Sequence, residues 1–192
     1  AFRDVTFGYV AGQPVLKNVS FRVEPGETVA LVGPTGSGKT STISLVHRFY
    51  EVGNGQVIVG GHDVRDVTQE SLGRMVSMVL QEPFLFTGTV FNNIRYSTTG
   101  ATPEDVERAA RAVGAHDFIV KLPDGYETEL DQRGGNLSLG QRQLISFARA
   151  IVADSPILVL DEATANIDSY TEMLIQNALA TLLEGRTGMV IA

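Results

Sequence analysis

The chain has 192 residues, of which 43% are hydrophobic, and its formal net charge is −7. This length suits one domain, or one domain with a small subdomain, and the composition indicates a globular protein. The acidic balance disfavours a nucleic-acid binder, which usually carries a basic face. The sequence has no cysteine, which excludes disulfides and thiolate metal sites. It shows no signal peptide and no run of about 18 apolar residues, the length that predicts a membrane span.

Both ends of the chain have the pattern of a protein interior. Residues 1–7 alternate between apolar and polar from the first position, as a strand already under way does. Residues 187–192 form an apolar run that predicts a buried strand. We therefore expect the chain to be a piece of a longer protein, truncated at both ends.

The first 59 residues are rich in strand signals. Residues 15–23 alternate between apolar and polar, and residues 28–32 form a short apolar run that predicts a buried strand. A glycine-rich loop follows, and then a predicted helix over residues 39–50. The apolar stripe of that helix would consist of Ile43, Leu45, Val46, Phe49 and Tyr50.

The middle of the chain, about residues 82–144, has a mostly helical pattern. Pro103 opens a predicted helix with acidic residues in its first turn, where the helix dipole favours them. Residues 157–160 form a second apolar run, typical of a buried strand, and residues 172–183 predict an amphipathic helix. Buried strands that alternate with helices predict an α/β fold with a parallel sheet.

The glycine-rich loop matches the phosphate-loop pattern G-x-x-x-x-G-K-[ST] in full, between a predicted strand and a predicted helix. Glycines let successive backbone N–H groups turn inward around an anion, and the helix N-terminus adds partial positive charge. The lysine would supply a full charge to the β- and γ-phosphates of ATP, and the threonine a hydroxyl to Mg²⁺. The predicted ATP-binding residues are Gly33, Pro34, Thr35, Gly36, Ser37, Gly38, Lys39, Thr40 and Ser41.

Two acidic residues, Asp161 and Glu162, end the second apolar run. In parallel α/β sheets ligands bind at the carboxyl ends of the strands, so Asp161 is predicted to lie near the phosphate loop and to hold Mg²⁺ through water. Glu162 can orient or deprotonate the attacking water. A solvated acidic turn or a helix cap would give the same local pattern, but the phosphate loop upstream favours the catalytic interpretation.

The segment Leu-Ser-Leu-Gly-Gln at residues 137–141 narrows the choice among phosphate-loop proteins. Ser138 is predicted to cap a helix over residues 141–152, and such a helix start presents a hydroxyl, free N–H groups and a dipole to an anion. On these residues the chain resembles the ATP-binding cassette (ABC) proteins, whose signature motif also lies shortly before the acidic strand. The resemblance implies that Ser138, Gly140 and Gln141 contact ATP held by a partner domain.

Other matches to this family cover nearly the whole chain. Tyr9 is similar to the family's tyrosine that stacks on adenine. Gln81 is similar to the Q-loop glutamine, which implies contact with Mg²⁺ and the attacking water and a role in sensing the transmembrane domain. Asp168, which ends the segment 165–168, resembles the D-loop aspartate at the dimer interface. Lys39, Gln81 and Glu162 are therefore the expected catalytic residues.

Further segments of the chain resemble the exporter subtype of the ABC family. Residues 84–94 are similar to the exporter segment after the Q-loop. Residues 131–134 lie where exporters carry the X-loop, with Gln132 in place of the usual glutamate. The resemblance therefore implies an exporter-type cassette.

His47 and His62 match no catalytic histidine of the family, and we interpret both as structural or surface residues. The family's switch histidine directly follows a strand like residues 189–192, where this sequence ends. Without that residue and a partner's signature segment, we expect the chain alone to bind ATP but to hydrolyse it poorly.

The resemblance implies a P-loop NTPase-type parallel sheet core with an N-terminal antiparallel β part and a helical subdomain. Residues 1–192 would form one nucleotide-binding domain, with residues 1–81 and 153–192 in the core and about 82–152 in the helical subdomain. The expected ligands are ATP and Mg²⁺. The expected partners are a second cassette and a transmembrane domain at the cytoplasmic face of a membrane, the bacterial inner membrane, and no nucleic acid.

The implied function is ATP hydrolysis that powers export, and three alternatives stay open. An importer ATPase would have a separately encoded membrane subunit. A DNA-repair or chromosome ATPase usually carries long coiled-coil insertions, and no sustained heptads occur here. A binding module that does not hydrolyse ATP could form half of an asymmetric pair, although Glu162 argues against this for the present half.

Overall fold

The structure, a computed structural model, describes residues 1–161 and 169–191. These residues form two compact units: the first contains residues 1–77, 156–161 and 186–191, and the second contains residues 78–155 and 169–185. The division predicted from the sequence, which groups residues 153–192 with the core, stays a prediction.

The described residues contain ten strands and seven α-helices. The strands are β1 (Phe2–Phe7), β2 (Leu16–Phe21), β3 (Thr28–Leu31), β4 (Asn54–Val59), β5 (His62–Asp63), β6 (Val76–Val79), β7 (Gly88–Thr89), β8 (Glu129–Leu130), β9 (Ile157–Asp161) and β10 (Thr187–Ile191). The helices are α1 (Lys39–Val46), α2 (Gln69–Met75), α3 (Val90–Ile94), α4 (Pro103–Ala112), α5 (His116–Ile119), α6 (Leu139–Ala153) and α7 (Ser169–Leu183).

The first unit contains an antiparallel and a parallel sheet. The antiparallel sheet has the order β2-β1-β4-β5, and the other sheet has the order β3-β10-β9-β6. Strand β10 pairs in parallel with both β3 and β9, and its buried side chains contribute to the core. The predicted α/β fold with a parallel sheet and an N-terminal antiparallel β part is therefore confirmed.

Strand β3 differs from the sequence expectation. It lies at one edge of the parallel sheet and pairs only with β10 among the described strands. Its residues alternate between exposed and half-buried, and Val32, directly after it, is 75% exposed. The prediction of a buried strand over residues 28–32 is therefore wrong, because an apolar run does not reveal whether its strand has neighbours on both sides.

Helix α1 ends at Val46, four residues before the predicted end. Arg48 has a left-handed backbone (φ 52°), and the N–H of Phe49 donates to the carbonyl of Ser44, as in a Schellman motif. The guanidinium of Arg48 donates to the backbone carbonyls of Val64 and Val67 at 3.2 and 2.8 Å. These distant contacts stabilise the turn, and they leave Phe49 exposed instead of in an apolar stripe.

The second unit is mainly helical, as predicted for the middle of the chain. Helix α6 packs against α3, α4 and α7 around the fully buried Phe147. Pro103 occupies the first turn of α4, as the sequence predicts, and Thr102 caps this helix in a capping box with Asp105. No helix in the described ranges is both long and apolar enough to cross a membrane.

Asn93 organises the start of the second unit through a buried hydrogen-bond network. Its Oδ1 accepts from the N–H of Phe86 at 2.9 Å, and its Nδ2 donates to the carbonyls of Phe86 and Thr89 at 2.9 and 3.1 Å. The guanidinium of Arg149 also donates to Oδ1, at 3.1 Å. One side chain therefore satisfies several backbone groups of an otherwise irregular segment.

We expect Asn93→Ala to lower the free energy of unfolding by about 2–4 kcal/mol, because it leaves buried backbone groups without partners and removes one of the hydrogen bonds of Arg149. The neighbouring Asn92→Ala is the matched control, since Asn92 is exposed on the same helix. That control should change stability by less than about 1 kcal/mol. Urea unfolding of both variants provides the comparison, and equal losses would contradict the role of the network.

Candidate active site

The loop between β3 and α1 adopts a conformation that requires glycine. Gly36 and Gly38 have φ angles of 84° and 95°, in the left-handed region that other residues rarely adopt. A Cβ at Gly33 would lie 2.7 Å from Ser37 Oγ, and a Cβ at Gly38 would lie 2.6 Å from a methyl of Leu16. The loop therefore requires glycine both for its backbone angles and for its close contacts with Ser37 and Leu16.

Helix α1 begins directly behind this loop. Its N-cap residue, Gly38, has no side chain to accept from the first N–H groups of the helix. Those amides and the positive end of the helix dipole suit an anion. Lys39 is the first residue of the helix, and its Nζ donates to the carbonyl of Gly33 across the loop. The backbone, the dipole and the ammonium group thus favour negative charge at one place.

Asp161 lies at the same edge of the parallel sheet as this loop. Ile191, at the end of β10, is the register partner of Leu31 on one side and of Asp161 on the other. Neighbouring strands are about 4.8 Å apart, so the end of β9 lies about 10 Å across the sheet from the end of β3. The carboxylate and the phosphate loop are therefore both at the carboxyl edge of the sheet. Glu162 and Asp168 lie outside the described residues.

Tyr9 follows strand β1, and its ring is 52% exposed. Its hydroxyl is 2.9 Å from the hydroxyl of Ser41, in the first turn of α1. Its ring makes edge contacts with Phe7 and Tyr50, each at a centroid distance of 5.0 Å. The structure thus brings the predicted adenine-stacking residue to the helix that follows the phosphate loop.

The predicted signature segment begins α6 in the second unit. Ser138 Oγ accepts from the N–H of Gln141 at 3.2 Å, and Gln141 Oε1 accepts from the N–H of Ser138 at 3.0 Å, which is a capping box. The side chain of Gln141 is thus engaged with the helix cap. Ser138 is exposed, whereas Gly140 is buried. Gln81 is also in the second unit and is exposed, shortly after β6.

Comparison with known proteins identifies the family. The ABC transporter family matches residues 16–165. The chain belongs to this family. The ABC transporter ATP-binding protein YfiC of Bacillus subtilis is 51% identical over 191 residues, which cover 100% of this chain and 32% of that protein.

Two further ABC proteins indicate an exporter relationship. The ATP-dependent lipid A-core flippase of Syntrophus aciditrophicus is 48% identical, over 99% of this chain and 31% of that protein. The structure of a bacterial Atm1-family ABC exporter with ATP bound is similar with a TM-score of 0.91 and 40% identity, over 100% of this chain and 33% of that one. The chain therefore spans about a third of the length of these relatives.

Sequence reasoning missed an aromatic surface in the second unit of the cassette, formed by Phe84, Phe86 and Tyr96. Phe86 stacks on Tyr96 at 4.2 Å and meets Phe84 edge-on at 5.0 Å. Arg149 lies beneath Phe86 and Tyr96, at 5.7 and 5.5 Å from the ring centroids, and donates to the carbonyls of Phe84 and Asn93. Burial lowers the pKa of Arg149 to about 10, so it stays cationic at neutral pH. No local pattern marks this surface in the sequence, because Arg149 and the three rings are brought together from separate segments of the chain.

His47, interpreted from the sequence as a structural or surface residue, is the C-cap of α1 and is half-buried. Its ring stacks on Phe49 at 5.4 Å, and burial lowers the pKa of His47 to about 4. The imidazole is therefore neutral at physiological pH.

Lys39→Ala should weaken ATP binding by about 2–4 kcal/mol, because a charge-assisted contact with the phosphates is lost. Calorimetric titration with Mg-ATP measures the change. Lys121→Ala is the control, since Lys121 is an exposed lysine of the second unit, far along the chain from the loop. Unchanged affinity in the Lys39 variant would exclude the phosphate-loop assignment.

Tyr9→Ala should weaken ATP binding by about 1–2 kcal/mol through the loss of stacking. Tyr9→Phe keeps the ring and loses only the hydrogen bond to Ser41, so its loss should be smaller, about 0.5–1 kcal/mol. The same titration separates the two variants. A phenylalanine variant as weak as the alanine variant would assign the main contribution to the hydroxyl instead of to stacking.

Proposed function

We propose that this chain is the ATP-binding and ATP-hydrolysing cassette of an ABC exporter. The observation that carries the proposal is the common edge of the parallel sheet: the glycine loop follows β3, and Asp161 ends β9 in register with the same β10 residue. A phosphate cradle and a carboxylate at one sheet edge are the two parts that a Mg-nucleotide requires. The exporter relatives support the direction of transport.

In this proposal the first unit binds the nucleotide. The adenine stacks on Tyr9, and the phosphates lie against the backbone of residues 33–41. Lys39, which now donates to a carbonyl of the loop, exchanges that contact for the β- and γ-phosphates. Binding therefore replaces an existing hydrogen bond of the lysine by charge-assisted ones, which are stronger.

The residues proposed to hold Mg²⁺ fit a hard cation, because they offer oxygen ligands. They are Thr40, Gln81 and Asp161, and the hydroxyl-bearing Thr40 is exposed in the first turn of α1. When bound, Mg²⁺ neutralises charge on the β- and γ-phosphates. Asp161 would hold the ion through water, and Gln81 would align the attacking water. Glu162 accepts a proton from that water as it attacks in line.

We propose that a second cassette completes the site. The exposed start of α6, with Ser138 at its cap, presents a hydroxyl, backbone N–H groups and a helix dipole to the γ-phosphate of ATP on the partner. Gly140 allows close approach and Gln141 holds the cap through its side chain. Asp168 contributes to the same interface. ATP therefore lies between two chains, and binding closes the pair.

We further propose that the cassette acts at the cytoplasmic face of a bacterial inner membrane, attached to a membrane-spanning part and without nucleic acid. The aromatic surface of Phe84, Phe86 and Tyr96 supports this, because three exposed rings held by a partly buried arginine suit a docked apolar partner. Two of its rings, Phe84 and Phe86, lie within five residues after Gln81 in the chain. If the membrane-spanning part docks on this surface, its movement would be coupled to Gln81.

Glu162→Gln should retain ATP binding and slow turnover by about 10²–10⁴ in the complete protein, as expected for a lost general base. ATP should then hold two Glu162→Gln chains together, because hydrolysis no longer reopens the pair. Light scattering with and without Mg-ATP measures dimer formation. Normal turnover would mean that another group is the base.

The Ser138 face can be tested in the same Glu162→Gln background. Ser138→Asp keeps a good helix cap but adds a negative charge opposite the γ-phosphate, so ATP-dependent dimers should be lost. Ser138→Asn is the matched control, because asparagine caps equally well without the charge. Dimers that persist with aspartate would contradict the composite site, whereas ATP binding to the monomer should be the same in both variants.

A further inference from the structure

Tyr9 is held in place by contacts with other side chains of the protein. Its hydroxyl bonds to Ser41 at 2.9 Å. Its ring meets Phe7 at an interplanar angle of 80° and Tyr50 at 85°, both at 5.0 Å. A tyrosine that follows the end of a strand and is half exposed would otherwise sample several rotamers.

Tyr50 comes from a separate part of the chain, and its ring contacts both Tyr9 and Phe7. It lies 5.7 Å from Phe7 at an angle of 49°, so the three rings contact one another in a triangle. Phe7 is 6% exposed and anchors the triangle in the core, whereas Tyr50 is 49% exposed. Tyr50 reaches this place because α1 ends at Val46 and the left-handed Arg48 reverses the chain. The early end of the helix thus positions an aromatic ring beside Tyr9.

This packing has a consequence for binding. A stacking residue that is free to rotate loses rotamer freedom when the ligand binds, and that loss weakens affinity. A ring already fixed by edge-to-face contacts has lost this freedom in the free protein. Ser41 lies one residue after the proposed Mg²⁺ ligand Thr40, so its hydrogen bond also fixes Tyr9 relative to the phosphate loop.

We infer that Tyr50 is a positioning residue for adenine: with Ser41 it fixes Tyr9, so that the adenine platform and the phosphate loop form one preorganised surface. The inference rests on the proposed function of the cassette. Tyr50 acts through Tyr9, and its effect is therefore confined to ligands that carry a base.

The test is calorimetric titration of the 192-residue chain with Mg-ATP and with Mg-tripolyphosphate, which has no base. Tyr50→Ala should weaken ATP binding by about 2- to 10-fold, the scale of an aromatic pair, and leave tripolyphosphate binding unchanged. Tyr50→Phe should restore ATP affinity, because it keeps the ring. Phe49→Ala is the matched control: Phe49 is the adjacent exposed ring, but it stacks on His47. The Phe49→Ala variant should bind ATP with the same affinity as the unchanged chain.

A double-mutant cycle with Tyr9 gives the sharper criterion. In a Tyr9→Ala background, Tyr50→Ala should have no further effect on ATP affinity, because the group that it positions is gone. Additive losses, equal losses for both ligands, or an equal loss in Phe49→Ala would overturn the inference and make Tyr50 a general structural residue. Failure of the unchanged chain to bind either ligand would instead overturn the proposed function.

Discussion

The parallel register of β3, β10 and β9 is the constraint on which the candidate site depends. Ile191 fixes the ends of both neighbouring strands, and a slip of one residue would move Asp161 by about 3.3 Å and turn it to the other face of the sheet. The register is stabilised by the buried side chains of the central strands, among them Leu158 and Val159. Core packing therefore determines where the carboxylate lies relative to the phosphate loop. A substitution that disturbs the packing of these strands would therefore change both the stability of the sheet and the position of Asp161.

The features that could be predicted from the sequence are those decided within a few residues. The cap of α6 is one, because Ser138 and Gln141 are three positions apart and each side chain bonds to the backbone of the other residue. The phosphate loop is another such feature, because the left-handed backbone that requires glycine at Gly36 and Gly38 belongs to the loop itself. Strand β9 was predicted because a short apolar run is typical of a buried strand, and the phosphate loop upstream favours a second such strand. In each case the residues that carry the prediction are close neighbours in the sequence.

The features that were missed depend on partners far along the chain. The end of α1 is set by Arg48, whose guanidinium bonds to carbonyls 16 and 19 residues away. Helical periodicity continues through this arginine, so no pattern in the segment marks the end. Arg149 likewise looks like an ordinary helix residue in the sequence, although it bonds to carbonyls 65 and 56 residues away and supports the aromatic surface. Local periodicity contains no information about such contacts.

The contacts of Tyr9 give a physical reason for a tyrosine at a position whose proposed task is stacking. Any aromatic ring can stack on a base, and a phenylalanine would do so without a polar group to satisfy. The hydroxyl of Tyr9, however, bonds to Ser41, which is buried and needs a partner for its own hydroxyl. The pair satisfies a buried polar group of α1 and at the same time sets the distance between the two ends of the nucleotide site. A displacement of the start of α1 would therefore move the adenine platform as well as the phosphate loop, and the two ends of the nucleotide would be released together.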